Sequence, residues 1–143
     1  MIESSLVLYM EDIVDYNYGT ESSVEFNFER LWVLRREEGE RFKPFMLEFY
    51  HVHPEGFCEL SALDKNCMKG LSLAFGSDIY FTIIIFKNGD LFDTRSKQKA
   101  FYYNFKSGKI EKVTLEPLNR DQLFFLKFLS YGETKDEAGN NKE

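Results

Sequence analysis

Apolar residues along the chain follow two spacings: consecutive or alternating runs that suit strands, and a three-to-four-residue recurrence that suits a helix. Ser5–Met10 (SLVLYM), Val24–Leu34 (VEFNFERLWVL) and Pro44–His53 (PFMLEFYHVH) are aromatic and β-branched, and Gly, Asn and charge clusters bound them; all three predict strands. After Ser61 the period changes. Leu63, Cys67, Leu71 and Ala74 form one stripe of a helix that stops near Gly76. Ile79–Phe86 (IYFTIIIF) is apolar at consecutive positions, as in a strand buried on both faces. Lys87-Asn88-Gly89-Asp90 signals a hairpin, and Lys106-Ser107-Gly108-Lys109 a turn between the runs KAFYYNF and KIEKVTLE. A last helix, about Asn119–Tyr131, carries Leu123, Phe124, Phe125, Leu126, Phe128 and Leu129 on nearly every side. Such a helix is either deeply packed or part of an oligomer contact. The expected class is α+β: a mixed sheet, a central helix after the histidine-bearing strand, and a C-terminal helix.

Length refines this to one domain over residues 1–131, followed by a polar tail from Gly132 (GETKDEAGNNKE) that reads as disordered. A formal charge of −6 with no basic stripe argues against sequence-independent nucleic-acid binding, which needs clustered Lys and Arg. Tyr102, Tyr103 and Phe105 therefore read as sheet packing rather than as a base-stacking platform. No apolar run is long enough to span a bilayer, and MIESSLVLYMEDIVDY has no basic n-region of a signal peptide. Cys58 and Cys67 lack CxxC spacing, so reduced thiols in a cytoplasmic protein are expected.

The chemistry concentrates in FYHVHPEGFCELSALD, Phe49–Asp64, which holds both histidines of the chain. Alternation along a strand projects His51 and His53 to one face. Pro54 ends the ladder, Gly56 permits a turn, and Ser61 starts the helix with Asp64 in its first turn. Two imidazoles and a carboxylate then converge, with a fourth position left to water, as in a catalytic zinc site. Ser61-x-x-Asp64 also approaches an N-capping box, which needs no metal. The conjunction favours the metal: from the chain's own composition, a chance match of this pattern is on the order of one in ten thousand. Cys58 is either a fourth ligand that closes the site or a loop cysteine packed beside Phe57.

His51, His53, Ser61 and Asp64 fit every position of the pattern H-x-H-x₇-S-x₂-D, and the chain here resembles the JAMM motif of the JAB/MPN metalloprotease family. The likeness extends at pattern level over about Pro44–Glu116, through the HxHP strand, the helix, the buried strand and the FYYNFKSGKIEKVTLE hairpin. The resemblance implies that His51, His53 and Asp64 hold Zn²⁺, which lowers the pKa of its bound water towards ~7. It implies that Ser61 hydrogen-bonds the oxyanion, and that an upstream glutamate moves the proton. Glu48 lies on the opposite face of the strand from His51. The family places this acid at the start of a hydrophobic strand well before the histidines. The resemblance therefore implies Glu3, which opens ESSLVLYM, as the first choice and Glu11, at the end of the same run, as the second, with Glu25 and Glu29 on the next run. The implied activity is hydrolysis of an amide or isopeptide bond in a protein or peptide substrate, including ubiquitin-like tails. The rival reading is a catalytically inactive binding or assembly module on the same fold.

Overall fold

A computed structural model describes residues 3–19, 26–53, 59–86 and 96–130. Six strands form one sheet in the order β2-β1-β3-β4-β5-β6. They span Ser4–Tyr9 (β1), Asp12–Tyr18 (β2), Leu47–Val52 (β3), Ile79–Phe86 (β4), Ser96–Tyr103 (β5) and Ile110–Val113 (β6). All neighbours are antiparallel except β3 and β4, which run parallel and are joined through helix α2, Ala62–Phe75. Helix α1, Phe28–Glu38, and α2 cover one face of the sheet, over a core that includes Leu31, Phe49, Met68, Leu71 and Phe81. Helix α3, residues 120–130, covers the other face through Leu126 and Leu129, which meet Leu6, Leu8, Tyr50 and Val52. The expected α+β class and mixed sheet are therefore observed. The hairpin at residues 87–90, Cys58 and the tail from Gly132 lie outside the described residues.

Three expected elements differ. The run Val24–Leu34 is not a strand where it is described; Phe28–Glu38 is a helix. Asn27 caps it by accepting from the Arg30 N–H at 3.3 Å, Glu29 sits in the first turn, and Arg35 and Arg36 in the last. Gly39, at φ 60°, ends it. These end signals match a helix macrodipole and outweigh the β-propensity of the aromatics. Pro44–Met46 is a 3₁₀ turn rather than the start of a strand, because Pro44 suits a first helical position and cannot donate to a ladder. Strand β2 had no counterpart in the expected elements; it is an edge strand with exposed Asp12, Tyr16 and Tyr18 and so lacks an apolar signature.

The stripe on α2 is rotated by one position. Asp64, Met68, Leu71, Ser72 and Phe75 are buried, while Leu63 is 73% exposed. Asp64 faces inward towards the histidines, and that turn of the helix carries Leu63 outward.

The terminal helix packs on one side only. Asn119 and Gln122 cap it reciprocally: the Gln122 N–H donates to Asn119 Oδ1 at 2.8 Å, and the Asn119 N–H to Gln122 Oε1 at 3.0 Å. Phe124 and Phe128 remain about half exposed on its outer side.

Candidate metal centre

Three elements deliver the site. Because β1 runs antiparallel to β3, the start of β1 lies beside the end of β3: Ser5 pairs with His51 and Ser4 with Val52. Glu3 immediately precedes β1, and alternation puts it on the same face as Ser5 and His51. The start of β1 is also fixed from the other face, where Ser4 Oγ lies 2.6 Å from Ser130 Oγ of α3. His53 is held by its backbone N–H donating to Ile84 O at 2.9 Å. α2 then begins over the carboxyl end of β3, the usual place for a ligand in a parallel crossover.

At that junction Glu3, His51 and His53 present ligand atoms within 4.8 Å of one another, and this group could hold a metal ion. Glu3 and His51 are buried, and the two imidazole rings stand perpendicular with centroids 4.8 Å apart. Asp64, also buried, braces both rings. Its Oδ1 lies 3.0 Å from His51 Nδ1, and its Oδ2 lies 3.3 Å from His53 Nε2. With Asp64 ionised, His51 Nδ1–H is the donor, so Nε2 turns towards Glu3, whose Oε1 is 3.4 Å away. A carboxylate that orients a histidine in this way is the common outer support of a metal site.

Ser61 and Asp64 do form the capping box: the Asp64 N–H donates to Ser61 Oγ at 3.1 Å, and the Ser61 N–H to Asp64 Oδ2 at 2.9 Å. One carboxylate thus starts the helix and aligns both histidines. The capping-box reading of Ser61-x-x-Asp64 is observed, and the same carboxylate faces both imidazoles. Ser61 Oγ accepts in this box and keeps its proton free to donate.

The electrostatics follow from burial among carboxylates. Burial disfavours the His51 cation, but the hydrogen bond to Asp64 and the proximity of Glu3 outweigh it, raising its pKa from 6.5 to about 9. Burial likewise opposes ionisation of Asp64, yet His51, His53 and the Ser61 N–H together hold it far below the ordinary carboxylate range. On α2, burial, with a smaller contribution from the Asp64 charge, pushes the Cys67 thiol up to about 12.

Whether the donors fit a metal can be tested on atoms left over. Among the described residues, Glu3 Oε2 and Ser5 Oγ are buried without a hydrogen-bond partner, and buried His51 Nε2 faces Glu3 Oε1 at 3.4 Å without forming a hydrogen bond. Leaving a buried polar atom unpaired costs roughly 1–3 kcal/mol, and three on one face of one junction mark a place built for something more. Ligands at about 2.05 Å from a tetrahedral zinc stand roughly 3.3 Å apart. The Glu3 Oε1–His51 Nε2 separation, 3.4 Å, is close to that edge, and the ligand atoms of Glu3, His51 and His53 all lie within 4.8 Å of one another. Nitrogen and carboxylate donors suit a divalent transition ion. The residues fit.

The expected residues His51, His53, Asp64, Ser61 and Glu3 are therefore brought together. Glu11 is not: it lies in the β1–β2 turn with φ 73°, at the opposite end of β1, roughly 17 Å of strand away. Glu48 lies on the other face, where its Oε1 accepts from Tyr50 O–H at 3.0 Å. The geometry also groups Glu3 with the histidines at ligand distance and sets Asp64 against their rings, a division of roles that spacing did not supply. Ser5 was missed. Its signal was available, since Glu3 and Ser5 are two apart on one strand face. Neither protein-family models nor curated proteins compared with this chain give a match.

Proposed function

We propose that this chain is a zinc-dependent hydrolase of the JAB/MPN kind that cleaves an amide or isopeptide bond in a protein or peptide. The observation that carries the reading is the convergence of Glu3, His51, His53 and Asp64 at one junction, with Glu3 Oε2 and His51 Nε2 buried and unsatisfied. The histidines would hold the ion, with Asp64 orienting their rings or joining them as a ligand. A bound zinc would supply a water acidified to ~7 and polarise the substrate carbonyl.

The chain's own groups account for the proton and the charge. As water oxygen attacks the carbonyl carbon, Glu3 takes the proton and delivers it to the nitrogen as the C–N bond breaks. The Ser61 hydroxyl donates to the developing oxyanion, an interaction that forms only as the charge appears. No helix among the described residues is long and apolar enough to cross a membrane. The free thiol of Cys67 suits a reducing, cytoplasmic setting.

The test pairs elemental analysis with turnover. About one zinc per chain is expected in the wild type and none in His53→Ala, with cleavage of peptide or ubiquitin-like isopeptide substrates only when zinc is present. A well-folded wild-type protein that takes up no metal would sink the proposal. A second reading, a metal-bearing module without turnover, draws on Glu3 itself. Glu3 already stands with both histidines at ligand distance. If Asp64, which faces both rings, also binds the ion, four protein donors close the site, as in structural zinc.

A further inference from the structure

On the α2 face of the sheet, a groove of about 390 Å³ lies between the start of α2 and strands β5 and β6, lined by Leu60, Lys65, Lys99, Phe101, Ile110 and Lys112, with Glu59 at its side. Phe101 pairs with Lys112 across β5 and β6, and alternation along β5 puts Lys99 on the same face as Phe101. Lys65 follows Asp64 on α2, so adjacent positions of one helical turn serve the metal centre and the groove. Lys99 is in register with Ile83, and Ile83 with His51. Two interstrand spacings of about 4.8 Å set the Lys99 backbone roughly 10 Å from that of His51.

Three lysines line this groove in a chain whose net charge is −6. Glu59 is the one acid lining it among the described residues; its Oε1 is 3.8 Å from Lys99 Nζ. With the Glu59 side chain 74% exposed, that pair is weak and easily displaced. Lysine on an edge strand can simply prevent strand-to-strand aggregation, which accounts for Lys112 on β6. It does not account for Lys99 on the interior strand β5 or for Lys65 on a helix. Phe101, Ile110 and Leu60, all half-buried, leave apolar surface between the three cations.

We infer that this groove is a substrate subsite for an extended, acidic segment, a carboxylate side chain binding at Lys99 between Lys65 and Lys112 while apolar side chains rest on Phe101 and Ile110. The inference rests on the hydrolase reading above and gives it a substrate class. An extended chain advances about 3.3 Å per residue, so the acidic side chain stands about three positions from the bond presented to the metal centre.

Fluorescence anisotropy tests it with two short labelled peptides: one alternating glutamate and leucine, the other carrying glutamine in place of each glutamate. The full chain is used both zinc-loaded and after chelation. The acidic peptide should bind at least about tenfold more tightly than the neutral one, and more weakly as salt shortens the Debye length. Lys99→Glu and Lys112→Gln, each checked for fold by circular dichroism, should weaken it, Lys99→Glu by at least about tenfold. Lys69→Glu, on α2 outside the groove, should leave it unchanged. Equal binding of the two peptides, no binding of either, or indifference to both groove variants would overturn the subsite. Binding is read without turnover. A protein that binds the acidic peptide yet takes up no zinc would keep the groove and lose the hydrolase, whereas one that cleaves without discriminating between the peptides would do the reverse.

Discussion

Zinc uptake by this protein should compete with a proton. In the metal-free fold His51 lies between Asp64 and Glu3, and its pKa stands at about 9 rather than 6.5. At pH 7 only about one molecule in a hundred then carries neutral His51, so the apparent zinc affinity falls about a hundredfold below its high-pH limit, roughly 3 kcal/mol. Between pH 7 and about 9 the affinity should rise about tenfold per pH unit and then level. Stability of the metal-free protein runs the other way. A folded-state pKa above the unfolded value means that the His51 cation stabilises the fold fully below pH 6.5, and the contribution is lost as pH rises through about 9. Competition against a chromophoric chelator across this range gives the affinity slope, and calorimetry in two buffers of different ionisation enthalpy should read about one proton released per zinc at pH 7.5. An affinity that is flat with pH, or uptake without proton release, would refute the account of His51 as a cation held between two carboxylates.

Glu3→Gln keeps the shape of the side chain and removes its base; if Glu3 moves the proton, zinc content stays near one per chain while turnover falls by about 10²–10⁴. Loss of zinc in that variant would assign Glu3 to the ligand set instead. Met10 and Glu11 both have positive φ, 51° and 73°, in the two-residue turn between β1 and β2. Replacing them with Asn-Gly should raise the denaturant midpoint by the equivalent of about 1–2 kcal/mol per residue relieved and leave zinc content unchanged. A fall in metal or activity would mean that Glu11 serves the site after all. Cys67, with its thiol pushed up to about 12, should resist alkylation at pH 8 in a Cys58→Ser background until the protein is unfolded. Rapid labelling of the native state would refute burial as the cause of its raised pKa.

Strand β4 and the ends of α2 were legible because their signals are local. Consecutive apolar residues over Ile79–Phe86 and the cap at Ser61 are fixed by neighbours a few positions away. The same holds for the shared face of His51 and His53, which strand alternation dictates. The aromatic run before Leu34 misled because propensity is weak beside a good cap at Asn27 and a glycine stop at Gly39. The edge strand β2 escaped because its solvent face carries no apolar pattern.

What the sequence by itself determined is the pairing of two histidines with a serine and an aspartate at the mouth of a helix, since a strand and a capped turn need only short-range rules. Only the tertiary structure decided which glutamate joins them. Glu3 lies 48 positions from His51 along the chain and reaches it because antiparallel β1–β3 pairing sets Ser5 opposite His51, a long-range contact that no local pattern specifies. The same pairing carries Glu11 to the far end of the strand. The groove lysines depend on tertiary structure for the same reason: Lys65, Lys99 and Lys112 meet only after β4 has joined β3 to β5.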